Sequence, residues 1–294
     1  MGDVLTINKI LAAIDLGADT EKILAYAEWL SKTRGVDTQI DMLYVIDYAL
    51  TPPAYLVPYI EEEKRLNEEE LKKWAEKLNS LGIKTGHAIA VGRLIETFNT
   101  AIKEMDTDML VLGHKSHMVR PSSSERMIKS LDIPMLVVRG KKSEGARIGG
   151  VGIKRILCAV DFSEPSKKAL EVAKSLSEKS SSELIVTHII SSLKVEKGFE
   201  KWKDMTEKDK SDYSNELIKN AEEEMCSFLR VCGEVGSVVR IGIPYATIND
   251  IAMERDADLI VMGARGLSYT KGVILGSVSE SVIKSSPCPV MIVR

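Results

Sequence analysis

The sequence predicts an α/β protein of two tandem doubly wound domains, each built on a five-stranded parallel sheet. The first observation is a duplication. Residues 9–15, KILAAID, recur as 155–161, RILCAVD, and 108–113, DMLVLG, recur as 258–263, DLIVMG. SSSERMIKS at 122–130 recurs as SVSESVIKS at 277–285, and PMLVVR at 134–139 recurs as PVMIVR at 289–294. Repeats this long are whole domains rather than solenoid units, and 294 residues hold two domains with real cores. The second observation is the character of the apolar runs, which are near-continuous instead of alternating. Such strands belong to parallel sheets covered by helices on both faces.

Each element of the first copy follows from its pattern. Apolar runs at 10–14, 39–46, 88–91, 109–112 and 135–138 predict five strands. Between them fall a helix over 20–34, a long charged helix over 61–81 and a helix over 94–105. The last carries Leu94, Ile95, Phe98, Ala101 and Ile102 on one face, the spacing of a helix with one buried side. In the second copy a charged helix is expected over 200–230. The domains are read as 1–140 and 154–294. They are joined by 141–153, whose glycines and charges predict a flexible linker. Ligands in such sheets bind beyond the carboxyl ends of the strands at the switch point, where Asp15, Asp161 and the glycine loops fall.

Composition excludes several classes of function. A net charge of −3 and a pI near 6.0 leave no basic surface for nucleic acid. No apolar run reaches the length of a membrane span, and the N-terminus lacks the features of a secretory signal, so a cytoplasmic protein without a membrane partner is expected. Cys158, Cys226, Cys232 and Cys288 lack metal or redox spacing, and the expectation is reduced thiols, buried at Cys158 and Cys288. Four scattered histidines make no zinc site, and His114 and His117 are expected to be solvated.

The strongest chemical signal is the run at 263–277, GARGLSYTKGVILGS, between a strand-like DLIVMG and a helix-like SVSESVIKSS. Gly263, Gly266, Gly276 and Ser277 form a G-x2-G-x9-G-S pattern. Glycines there permit positive backbone angles and close approach, so that N–H groups converge on an anion, and the helix N-terminus adds free donors and its dipole. Asp161 can accept hydrogen bonds from a ribose or base, and Ser277 either meets a phosphate or caps the helix. Arg265 and Lys271 can pair with phosphates or remain solvated.

These motifs resemble a tandem universal stress protein. The resemblance rests on the glycine pattern, on AVDFS at 159–163, on VTHII at 186–190 and on RIGIP at 240–244, and it covers nearly the whole chain twice. It implies a Rossmann-like, adenine nucleotide alpha hydrolase-like fold in each half. It also implies an adenine nucleotide, ATP, ADP or AMP, with Mg2+ accompanying ATP as an option. The binding positions it implies are Ala159, Asp161, Ser163, Ile189, Gly242, Pro244, Met262, Gly263, Arg265, Gly266, Gly276, Ser277, Val278 and Ser279. No catalytic residue and no protein metal site is implied.

The first half departs from the pattern. Gly113 matches Gly263, but Ser116 stands for Gly266, Pro121 stands for Gly276 and the loop is shorter. Proline lacks an N–H and fixes its φ, so phosphate binding there is expected to be impaired. A weaker first-domain site would use Ala13, Asp15, Val45, Leu112, Gly113, Ser122 and Ser123.

The leading expectation is a nucleotide-binding stress or regulatory protein using chiefly the second domain. The alternatives are a slow ATPase or nucleotidyl-transfer enzyme, and a nucleotide-free interaction module. No positioned base, nucleophile or set of metal-holding carboxylates favours the enzyme. The terminal apolar strands at 135–139 and 290–294 leave edges that predict pairing of the halves as a pseudo-dimer, with a homodimer beyond it. Tyr55, Tyr59 and Trp202, near the charged helices, are candidates to cover the ligand mouths.

Overall fold

A computed structural model describes residues 7–34, 38–48, 56–114, 122–198, 205–230, 235–266 and 275–294. The chain divides into two compact units, Met1–Gly152 and Ile153–Arg294.

The first unit contains β1 (Lys9–Ile14), α1 (Thr20–Arg34), β2 (Gln39–Asp47), α2 (Val57–Asn79), β3 (Thr85–Gly92), α3 (Leu94–Glu104), β4 (Met109–Gly113), α4 (Ser123–Ser130) and β5 (Met135–Val138). Its strands run in the order β3-β2-β1-β4-β5, every pair parallel. The order reverses beside β1, so a crevice opens between the carboxyl ends of β1 and β4.

The second unit repeats the plan with β6 (Arg155–Val160), α5 (Glu164–Ser180), β7 (Glu183–Ser191), α6 (Ser192–Gly198), α7 (Glu207–Leu229), β8 (Gly236–Gly242), α8 (Pro244–Glu254), β9 (Leu259–Gly263), α9 (Ser277–Ser285) and β10 (Val290–Val293). Its order is β8-β7-β6-β9-β10, again parallel throughout. The central strands explain the continuous apolar runs. Leu110, Leu136, Leu157, Ile260 and Met291 are all fully buried, because helices cover both faces.

The long helices differ from expectation at their ends. α2 begins at Val57 rather than 61, since Pro58 fits a first helical turn, where no N–H is needed. Within the charged stretch expected over 200–230 the described residues hold one helix, α7. α7 starts only after Thr206, whose hydroxyl accepts the Asp209 N–H at 3.2 Å, with the short α6 before it. α3 is capped from a distance: Oδ1 of Asp47, the last residue of β2, accepts the Leu94 N–H at 3.0 Å.

The linker is not the flexible tether its composition predicts. Residues 141–152 pack with the first unit, opening with a 3-10 turn at Lys141–Ser143 in which Ser143 is buried. Gly145 and Gly149 take φ of 75° and 83°, the left-handed turns that spare glycine a steric penalty. The segment is fastened to α1. Arg147 pairs with Glu21 at 3.1 Å, and the Gly149 N–H donates to Glu28 at 2.9 Å. Glu28 is only 2% exposed, a carboxylate whose burial is compensated by that amide and by Lys32.

Candidate functional site

In the second unit, β6 delivers Asp161 to the switch point. The Asp161 carboxylate folds back on its own turn: Oδ1 accepts the Ser163 N–H at 3.2 Å and the Ser163 hydroxyl. This turn holds Phe162 at φ 63°, a strained conformation for a bulky residue. Phe162 stacks on His188 with ring centroids 4.3 Å apart, and Phe228 meets it edge-on at 5.4 Å. The His188 Nδ1 lies 2.9 Å from the Val160 carbonyl oxygen, a bond in which the ring donates.

Gly266 lies against this carboxylate. A Cβ there would stand 2.1 Å from Asp161 Oδ2, so any larger residue would force the carboxylate or the loop to move. A Cβ on Gly263 would meet the Pro165 backbone at 3.1 Å, at the start of α5. Both glycines are therefore explained by close approach. The positive backbone angles expected of the loop glycines do not occur at Gly263, Gly266 or Gly276.

Gly276 is the N-cap of α9 at φ −74°, and its N–H donates to the Ala264 carbonyl at 2.8 Å. That donor is thus spent within the protein. Ser277 is the first helical residue, so it does not cap α9, and the N-cap contributes no side-chain bond. The first helical hydrogen bond runs from Glu280 N–H to Gly276 O, leaving the N–H groups of Ser277, Val278 and Ser279 without an intrahelical acceptor. The buried Ser279 hydroxyl donates to the Gly263 carbonyl at 2.9 Å and ties α9 to β9.

The remaining expected positions lie around this centre. Ala159 and Met262 are register neighbours on β6 and β9. Ile189 is half-buried on β7 opposite Arg240, and Ser191, two residues on, is opposite Gly242. A Cβ on Gly242 would stand 2.2 Å from the Thr247 hydroxyl, and Pro244 begins α8. Arg265 adjoins Gly266 and is half-buried, while Lys271 falls outside the described residues. Arg240 is held by Glu254 at 2.9 and 2.6 Å, which keeps the Glu254 carboxyl below the usual carboxylate range.

In the first unit the structure brings all seven expected residues, Ala13, Asp15, Val45, Leu112, Gly113, Ser122 and Ser123, around one cavity of about 320 Å³. The aspartate turn repeats: Asp15 Oδ1 accepts the Gly17 N–H at 2.9 Å, and Leu16 has φ 53°. Sequence reasoning missed Asp19, Tyr44, Asp47, Leu94 and Phe98 in the lining. The Tyr44 hydroxyl donates to Glu63 on α2 at 3.0 Å, and burial, reinforced by that carboxylate, pushes its pKa up. Asp47 pairs with Arg126 at 2.7 Å, and that bond holds its carboxyl below the usual range.

The two helix starts differ. α4 has a capping box: the Glu125 N–H donates to the Ser122 hydroxyl at 3.2 Å, and the Ser122 N–H donates to the Glu125 carboxylate at 3.2 Å. At the matching position of α9, Glu280 pairs instead with Lys284 at 2.7 Å. Pro121 and Ser116, on which the expected impairment rested, fall outside the described residues. His114, expected to be solvated, is buried and bonds Ser124 at 3.1 Å, while His117 is not described. Cys158 and Cys288 are buried, Cys226 is exposed, and Cys232 is not described. Tyr59 is 73% exposed and is not among the described residues lining the first-unit cavity; Tyr55 and Trp202 lie outside the described residues. Among the described residues no group of His, Cys, Asp or Glu could hold a metal ion, and no helix is long and apolar enough to cross a membrane.

Fold and site together define a protein of two doubly wound α/β units, each with an aspartate and a glycine at its switch point. The chain belongs to the universal stress protein family, whose model matches residues 6–139 and again 152–294. A universal stress protein of Methanocaldococcus jannaschii is 31% identical over 153 residues, 48% of this chain and 94% of that protein. A relative from Staphylococcus saprophyticus that carries the same family name is 34% identical over 143 residues, 48% of this chain and 83% of that one. The crystal structure of a universal stress protein from Archaeoglobus fulgidus covers 99% of this chain and 98% of its own, with a TM-score of 0.71 and 25% identity.

Proposed function

We propose that the chain binds an adenine nucleotide, chiefly in the second unit, and that its output is regulatory. The observation that carries this reading is the pairing of Asp161 with Gly266 beside the start of α9, where three N–H groups have no intrahelical acceptor. A helix start of this kind suits an anion, through both its donors and its dipole. The residues present fit a nucleotide: Asp161 for the ribose or base, Ile189 and Met262 for the base, and Gly263, Gly266, Ser277, Val278 and Ser279 for ribose and phosphates. Mg2+ would then arrive with ATP, held by its phosphates. The setting we propose is cytoplasmic, with the two halves paired as a pseudo-dimer and with homodimers beyond it, an assembly read from the duplication and from the apolar terminal strand of each half.

The test is to denature freshly purified protein, identify and count released nucleotide by mass, and assay added ATP for turnover. One adenine nucleotide per chain, lost in Asp161→Ala and kept in Asp15→Ala, with negligible turnover, is the expected result. Rapid turnover would make the protein an enzyme, and no nucleotide binding at all would make it an interaction module.

A further inference from the structure

The two units keep the same strand-end positions but finish them differently. Ala13 faces Leu112 across β1 and β4 in the register in which Ala159 faces Met262, and Asp15 and Asp161 follow with the same carboxylate turn. The half of the site suited to a base and sugar is therefore common to both.

The anion end is not. In the first unit the Glu125 carboxylate occupies the start of α4, bonded to the Ser122 N–H, and the Ser122 hydroxyl takes the Glu125 N–H. A negative side chain of the protein thus already answers the dipole at the start of α4, from beside the cavity rather than from its lining. Among the described residues the cavity lining includes Asp15, Asp19 and Asp47 and neither a lysine nor an arginine. Asp19 and Asp47 have nearby cations, Lys22 and Arg126, whereas the partner shown for Asp15 among the described residues is the Gly17 amide at Oδ1. A phosphate entering here meets the carboxylates of Asp15, Asp19 and Asp47, and a helix start at which the capping box has used the Ser122 and Glu125 N–H groups and left those of Ser123 and Ser124 without an intrahelical acceptor. The volume, about 320 Å³, is at the lower end for small-molecule sites and suits a ligand of nucleoside size.

We propose that the first-unit cavity takes an unphosphorylated adenine nucleoside and discriminates against its phosphates. The choice of adenine rests on the reading of the second unit given above; the discrimination rests on Ser122, Glu125 and the three aspartates.

The experiment is equilibrium dialysis of the full chain with labelled adenosine at saturating unlabelled ATP, with ATP and AMP titrated separately. The expected result is one adenosine per chain that ATP does not displace, with AMP weaker than adenosine at that site by about tenfold or more. Asp15→Asn should weaken adenosine about tenfold and leave ATP binding unmoved, and Glu125→Gln should narrow the gap between adenosine and AMP. Displacement of adenosine by ATP, AMP binding as tightly as adenosine, or no adenosine retained would each overturn the proposal. If adenosine binds with that selectivity and ATP binds nowhere, the nucleotide reading of the second unit fails and this one stands.

Discussion

Asp161 and Gly266 are in contact so close that a methyl group on the glycine would stand 2.1 Å from the aspartate's Oδ2. The aspartate cannot simply swing aside, because its other oxygen is bonded to the Ser163 amide and hydroxyl. Gly266→Ala should therefore displace the carboxylate or the loop, weakening adenine-nucleotide affinity about tenfold, ~1.4 kcal/mol. Titration calorimetry with ATP measures it. Wild-type affinity in a folded Gly266→Ala protein would remove this contact from the site.

Gly276 separates two explanations of a glycine. Its φ of −74° suits any residue, and among the described residues a Cβ would come no closer than 3.4 Å, to the Ala264 carbonyl, so Gly276→Ala should be nearly neutral in stability. Gly276→Pro tolerates the same φ but loses the N–H bonded to Ala264, at a cost of about 1 kcal/mol. With the α9 start unanchored, the preference for ATP over adenosine should fall in the proline variant only. Equal nucleotide selectivity in both variants would show that the anchor has no part in binding.

The capping box of α4 should be worth what such caps usually are. Ser122→Ala removes the acceptor for the Glu125 N–H and should destabilise the protein by about 1 kcal/mol, read from urea denaturation midpoints. The corresponding change at Ser277, which caps nothing, should shift the midpoint by much less.

Acid should act on the Asp47–Arg126 pair. The Asp47 carboxyl lies below its unfolded value, chiefly through the Arg126 bond, so its stabilisation is complete above the unfolded pKa. As pH falls below about 4 that contribution is lost, because the unfolded chain then binds the proton more readily. Asp47→Asn should flatten the fall in urea midpoint between neutral pH and about pH 3. An unchanged acid slope in the variant would place the sensitivity elsewhere.

The segment joining the units should resist proteolysis until its clamp is cut. Glu28→Ala removes the acceptor for the Gly149 N–H, and Arg147→Ala removes the partner of Glu21. In the double variant, cleavage within 141–152 should become faster under limited trypsin digestion, at Lys141 or Lys142. Equal cleavage of wild type and variant would mean that these contacts do not hold the segment.

Much of the architecture was legible in the sequence. The helix at Thr20–Arg34 and the strand at Met135–Val138 have the expected bounds, since apolar spacing is a local property. The linker was misread because glycine and charge signal freedom only when nothing packs on them, and Glu28 lies in a helix far away in sequence. His114 was misread likewise, its burial being set by neighbours such as Ser124 on α4.

By itself the sequence determined the duplication, the alternation of strands and helices, and the presence of Asp15, Asp161, Gly113 and Gly263 at strand ends. These follow from repeated residue types and short-range periodicity. Tertiary structure alone decided that Gly266 meets Asp161, that Gly276 spends its N–H on Ala264, and that Tyr44 and Asp47 join the first-unit cavity. It also decided that Glu125 bonds back to cap α4, whereas Glu280 in the same sequence setting pairs with Lys284. Such relationships depend on where the chain returns and on which partner lies within hydrogen-bond range, and neither is encoded in local pattern.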